Sequence, residues 1–132
     1  MILVDTDVLI DLDRYSIDPG QRYAASVLSR AELELGVHRA PNQVEYQLRR
    51  ARLTVLDDTF DWLPFDRAAS TGYGVVAGAA SVTGARLRNK DALLAGQAYS
   101  LGLAVLTRNI DDFAPFTAYV QVLPAQPVSA GE

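Results

Sequence analysis

The chain contains no cysteine and a single histidine, His38. A disulfide framework and a thiolate metal site are therefore excluded, and a zinc site of the usual Cys/His kind lacks ligands. The missing thiols suit a reducing, cytoplasmic compartment, which is the expectation here. Lysine is almost absent: Lys90 stands alone, and the remaining basic side chains are arginines. No apolar run approaches the roughly 18 residues of a membrane span, and no basic stretch precedes an apolar one as in a signal peptide. Neither a P-loop, a Gly-x-Ser-x-Gly elbow nor a Gly-x-Gly-x-x-Gly turn occurs. His38 falls late in a helical pattern, where a cation or simple exposure accounts for it.

What remains is acid on an apolar frame. The 132 residues are 49% hydrophobic and carry a net charge of −4. That length fits one domain, expected over residues 1–123, with 124–132 as a loose Pro/Ala/Ser/Gly tail. The acidic balance counts against a nucleic-acid partner, because such binders are usually basic. A bound divalent cation would offset half of it. Two basic clusters, Arg49/Arg50/Arg52 and Arg86/Arg88/Lys90, are candidates for gripping phosphate. They fit equally well as solvated faces or carboxylate partners.

Ile2-Leu3-Val4 reads as a short buried strand ending at Asp5. Thr6 or Asp7 can cap a helix running to about Tyr15, and Asp18-Pro19-Gly20 is a turn. Residues 23–28 read as a second strand. Ser29 then has Glu32 three positions on, the spacing of a capping box. A helix over about 42–57 carries Val44, Leu48, Ala51 and Val55 at helical spacing. Trp62 to Phe65 is extended, and Asp66 can cap a helix to about Val82 that is rich in Ala and Gly. Residues 83–89 read as a loop, 91–100 as a helix stopped by Gly102, and 103–106 as a strand. Residues 111–116 form a loop or short turn, and 119–123 an edge strand. Strands separated by helices predict a three-layer α/β/α fold with a mainly parallel sheet.

In such folds ligands bind beyond the carboxyl ends of the strands. Asp5 sits at one such end, and Asp111 and Asp112 follow another. Asp5 must be paired or metal-bound if its strand is buried, unless it caps the next helix. Asp7 can serve as cap or ligand. Glu32 shares a helix face with Gly36, which leaves room beside the carboxylate. Asp91 heads a packed stripe through Leu94, Ala95 and Ala98, although the helix N-terminus alone would also favour an acid there. Thr107 and Asn109 offer a hydroxyl and an amide at a strand end. Spacing leaves the choice between Asp111 and Asp112 open. Carboxylates sharing a crevice repel one another, so the natural occupant is a hard divalent cation, Mg²⁺ or Mn²⁺.

The opening MILVDTDVLID at Met1 to Asp11 resembles that of PIN-domain ribonucleases, in particular VapC-type toxins of toxin–antitoxin pairs. The resemblance continues with AELELG at Ala31 to Gly36, KDALLAGQA at Lys90 to Ala98 and LTRNIDDF at Leu106 to Phe113. Each motif alone is weak, but the four occur in order over nearly the whole chain. The resemblance implies that Asp5, Glu32, Asp91 and Asp112 hold the metal, with Thr107 and Asn109 supporting the site. It further implies an endoribonuclease acting on RNA with Mg²⁺ or Mn²⁺, a homodimer, and a cognate antitoxin that blocks the acids. Two rivals remain at this level. Asp5-Thr6-Asp7 has the Asp-x-Asp look of haloacid-dehalogenase-like or receiver-like phosphoryl-transfer proteins, which need a lysine by the acids. A non-catalytic PIN-like binding module would keep the fold without the chemistry.

Overall fold

The computed structural model describes residues 1–128. Five strands form one sheet in the order β3-β2-β1-β4-β5, and every pairing is parallel. These are β1 (Ile2–Val4), β2 (Tyr23–Ser26), β3 (Trp62–Leu63), β4 (Ala104–Thr107) and β5 (Val122–Pro124). Helices α1 (Thr6–Leu9), α2 (Val27–His38), α3 (Gln43–Thr59), α4 (Arg67–Val82) and α5 (Asn89–Leu101) cover it, giving the expected three layers. The chain builds outward from β1 to β2 and β3, then returns to add β4 and β5 on the other side of β1. The order therefore reverses between β1 and β4, and an open parallel sheet has its crevice at that point.

Strand alternation sorts the core into two clusters. Leu3, Ala24 and Val105 face α4, α5 and the anchors Phe113 and Phe116. Ile2, Val4, Ala25 and Leu106 face α1, α2 and α3. Between α4 and α5 the packing is backbone to backbone. A Cβ at Gly72 would collide with the carbonyl of Gly96, and one at Gly96 with the backbone of Tyr73.

Several boundaries differ from those read from the sequence. Asp5 itself caps α1, its Oδ1 accepting from the Thr6 N–H at 2.8 Å, so the cap falls to neither Thr6 nor Asp7. That helix stops at Leu9, and the chain tightens into a 3₁₀ segment over Leu12–Arg14. Ser26 caps α2 by accepting from the Leu28 N–H, three residues before the expected Ser29. Ser29 lies inside the helix, buried, and accepts from the Thr6 hydroxyl at 2.8 Å. Glu32 is therefore not a capping-box acid. On α3 the Val44, Leu48 and Val55 stripe faces solvent, and the helix buries Leu53 and Leu56 instead. Helix α5 starts at Asn89, two residues before the expected start at Asp91. The last strand begins at Val122 rather than Tyr119 and includes Pro124, a residue tolerated at a sheet edge because it lacks only a donor. The segment 125–128 is not loose. Ala125 N donates to Thr107 O, Ser16 N to Gln126 O, and Val128 N to Arg14 O. Residues 129–132 of the expected tail lie outside the described residues.

Candidate metal centre

The crevice between β1 and β4 is bridged by Asp5, just after β1, and Thr107, at the end of β4. Thr107, the last residue of β4, is fully buried and donates its hydroxyl to Asp5 Oδ2 at 2.9 Å. The same hydroxyl oxygen accepts from the Asn109 N–H at 3.1 Å. Asp7, in the first turn of α1, places Oδ2 at 3.4 Å from the Thr107 hydroxyl and accepts from the Arg108 N–H with Oδ1. Strand β4 thus fixes Thr107, and Thr107 fixes both acids of the β1–α1 junction. Burial, reinforced by the neighbouring Asp7 charge, pushes the Asp5 carboxyl up to about 7. The hydrogen bonds from Thr107 and Thr6 oppose that rise, and the Asp91 charge adds to it.

The other acids arrive from three further elements. Asp91 lies in the first turn of α5, where helix dipole and packed stripe agree. Burial raises its pKa, the Asp112 and Glu32 charges push the same way, and Arg88 and Lys90 oppose. Asp91 Oδ2 is buried without a hydrogen-bond partner. Glu32 projects from the middle of α2, whose position relative to α1 is set by the Thr6–Ser29 bond. Asp112 sits in the 3₁₀ segment Ile110–Phe116, held by buried Phe113 and Phe116. Asp112 is half-buried and paired with Arg88, while Asp111 is exposed. Asn109 is exposed too, and its backbone N–H donates to Thr107 Oγ1.

Two basic residues complete the site. Arg88 Nη1 donates to Asp112 Oδ2 at 2.9 Å, and its Nε lies 3.6 Å from Asp91 Oδ2. Lys90 Nζ donates to Glu32 Oε2 at 3.0 Å. The spacing Arg88-x-Lys90-Asp91 was the available signal for this role. Two arginines of the other basic cluster are spent on structure: Arg50 makes a two-pronged pair with Glu34, and Arg49 holds Glu45 and the carbonyl of Gly36.

The donors suit a hard divalent cation in kind: they are all carboxylate oxygens, and one of them, Asp91 Oδ2, is buried without a hydrogen bond. As placed, no three Asp, Glu or His side chains among the described residues gather tightly enough to hold an ion. Glu32 and Asp112 are instead turned onto Lys90 and Arg88.

No family model matches the chain. Ribonuclease VapC4 of Mycobacterium tuberculosis is 30% identical over 113 residues, covering 83% of this chain and 86% of the relative. Among solved structures, VapBC-5 of M. tuberculosis, described as a member of the VapBC family of toxin–antitoxin systems, superposes with a TM-score of 0.79. It shares 30% identity over 95% of this chain and 97% of that one. FitAcB of Neisseria gonorrhoeae gives a TM-score of 0.79 at 26% identity, over 93% and 96% of the two chains. These matches run along nearly the full length of both chains. This chain belongs to the VapC family of PIN-domain ribonucleases.

Proposed function

We propose that the protein is the toxin of a toxin–antitoxin pair, a Mg²⁺- or Mn²⁺-dependent endoribonuclease that hydrolyses RNA phosphodiester bonds. The observation that carries this reading is that Asp5 and Asp7 meet on Thr107 at the β1–β4 crevice, while Asp91 lies near enough for its charge to raise the Asp5 carboxyl and has Glu32 and Asp112 as its own acidic neighbours. Asp5, Glu32, Asp91 and Asp112 would hold the ion, which when bound makes hydroxide available near neutral pH and offsets charge at the phosphate. The chain's own residues do the rest. Thr107 locks the Asp5 carboxylate in place, and the Asn109 N–H locks Thr107. Both Asp5 oxygens already accept hydrogen bonds. That arrangement suits a ligand held still better than a nucleophile that must swing to a phosphate, and it disfavours a phosphoaspartate mechanism.

A cognate antitoxin and a second copy of the chain are the proposed partners, as expected for a family whose relatives include members of toxin–antitoxin complexes. Among the described residues no helix is long and apolar enough to cross a membrane. The test is RNA cleavage by purified protein. Chelation should abolish cleavage and Mn²⁺ restore it, and Asp91→Asn should lose roughly 100-fold or more while keeping its circular dichroism spectrum. Undiminished cleavage by folded Asp91→Asn would remove that residue from the site.

A further inference from the structure

Arg88 and Lys90 reach the acids from the entry to α5, and both are largely exposed. Arg88 spans Asp91 and Asp112, and Lys90 takes Glu32. Three of the four proposed metal ligands therefore each face an internal cation. A divalent ion that gathers these carboxylates must win them from Arg88 and Lys90. Exposed pairs of this kind are weak, so the competition is modest and reversible. The released side chains are long, flexible and anchored beside the place where a phosphodiester must approach the acids. By contrast, Arg49 and Arg50 are bound to α2.

We propose that Arg88 and Lys90 are exchangeable counter-charges: they hold the acids until a divalent ion takes them, then hold the RNA backbone beside the scissile phosphate. The proposal rests on the metal-site reading above. It makes both residues positioning residues that couple two ligands. Metal binding frees positive charge for RNA, and by linkage RNA must tighten metal binding by the same factor.

The test titrates Mn²⁺ calorimetrically into chelator-treated wild type, the double variant Arg88→Gln/Lys90→Gln, Arg88→Lys and Arg86→Gln. Arg86 shares the loop before α5 but makes no ion pair among the described residues, so its variant controls for plain loss of charge. Binding of a cleavage-resistant phosphorothioate RNA oligonucleotide is measured by anisotropy with and without Mn²⁺. The double variant should bind Mn²⁺ roughly five- to tenfold more tightly than wild type, and Arg86→Gln should change little. Mn²⁺ should tighten RNA binding by wild type and Arg88→Lys but not by the double variant. Equal Mn²⁺ affinity in wild type and double variant, or an equal gain in Arg86→Gln, would overturn the exchange and leave the metal site standing. No Mn²⁺ binding by any of the proteins would overturn the metal site and the exchange with it.

Discussion

Gly72 and Gly96 let α4 and α5 touch backbone to backbone, whereas α2 and α3 meet through leucines with ion pairs at their rim. The first layer is dense and built of small apolar residues: Ala69, Val76, Ala77, Ala80, Ala92, Ala95 and Ala98 are all buried. The second carries Arg30–Asp57 and Arg50–Glu34 and leaves Val44, Leu48 and Val55 in solvent. The candidate site straddles the two. Asp91 comes from the dense layer, Glu32 from the salt-bridged one, and Asp5 from the strand between them. The difference shows in the side chains: Asp91 is only 13% exposed, while Glu32 is 30% exposed and gripped by a surface lysine.

The comparison breaks most visibly at glycine. Gly96→Ala forces a methyl group into the Tyr73 backbone, which cannot move without separating α4 from α5. Urea unfolding should show a loss of about 3 kcal/mol or more, at the upper end for overpacking. The same change at Gly36 on α2 meets open space and should be neutral or stabilising by up to about 1 kcal/mol. A Gly96→Ala protein with a wild-type urea midpoint would erase the distinction between the layers.

That distinction was partly legible in the sequence. The Ala/Gly content of 67–82 signalled close packing, and the apolar runs ending at Asp5 and near Thr107 located the crevice. The faces of α3 were not legible, because Val44/Leu48/Ala51/Val55 and Leu53/Leu56 both fit a helical repeat and only the neighbouring sheet decides which is buried. The cap of α2 was read at Ser29 rather than Ser26 for a similar reason. Ser26 and Ser29 are equally good caps, and the pairing of Ser26 with Leu63 in the sheet settles where the strand ends. Pairing of residues 125–128 with Arg14 and Ser16 joins segments over a hundred residues apart and leaves no local trace. The Arg88-x-Lys90-Asp91 spacing flags basic side chains beside Asp91 but not Glu32 and Asp112, the distant acids they also meet.

Between the layers, Asp5 offers a smaller effect whose sign is set by burial. Its carboxyl is raised from an ordinary 3.8 to about 7. Between those values the folded protein binds more protons than the unfolded chain, so stability falls as pH rises through that window. The contribution is complete below about 4 and lost above about 7. Asp5→Asn keeps an acceptor for the Thr6 N–H, replaces the second oxygen with an amide N–H that donates to Thr107 Oγ1, and cannot titrate. In chelator it should unfold with a flatter pH dependence between pH 5 and 8, and at pH 8 it should exceed wild type by roughly 1–3 kcal/mol. Added Mn²⁺ should stabilise wild type and leave Asp5→Asn behind. Equal pH slopes for the two proteins would mean that Asp5 does not carry the strain of the crevice.

The smallest effect belongs to the rim of the salt-bridged layer. Asp57 accepts from Arg30 Nε at 2.8 Å and Nη2 at 3.0 Å, and from the Trp62 indole at 2.8 Å. The Arg30 hydrogen bond lowers the Asp57 pKa, so its stabilisation is present near neutral pH and lost on acidification. Both side chains remain about a third exposed, at 33% and 37%, and solvent screens most of the attraction. Arg30→Gln should therefore cost less than about 1 kcal/mol, and the loss should shrink further in molar salt. Trp62 fluorescence gives a local readout, because the indole keeps Asp57 as its partner after Arg30 is removed. A salt-independent loss above about 2 kcal/mol would mean that α2 and α3 are locked as tightly as α4 and α5, and Glu32 would then have no more freedom than Asp91 to leave its basic partner.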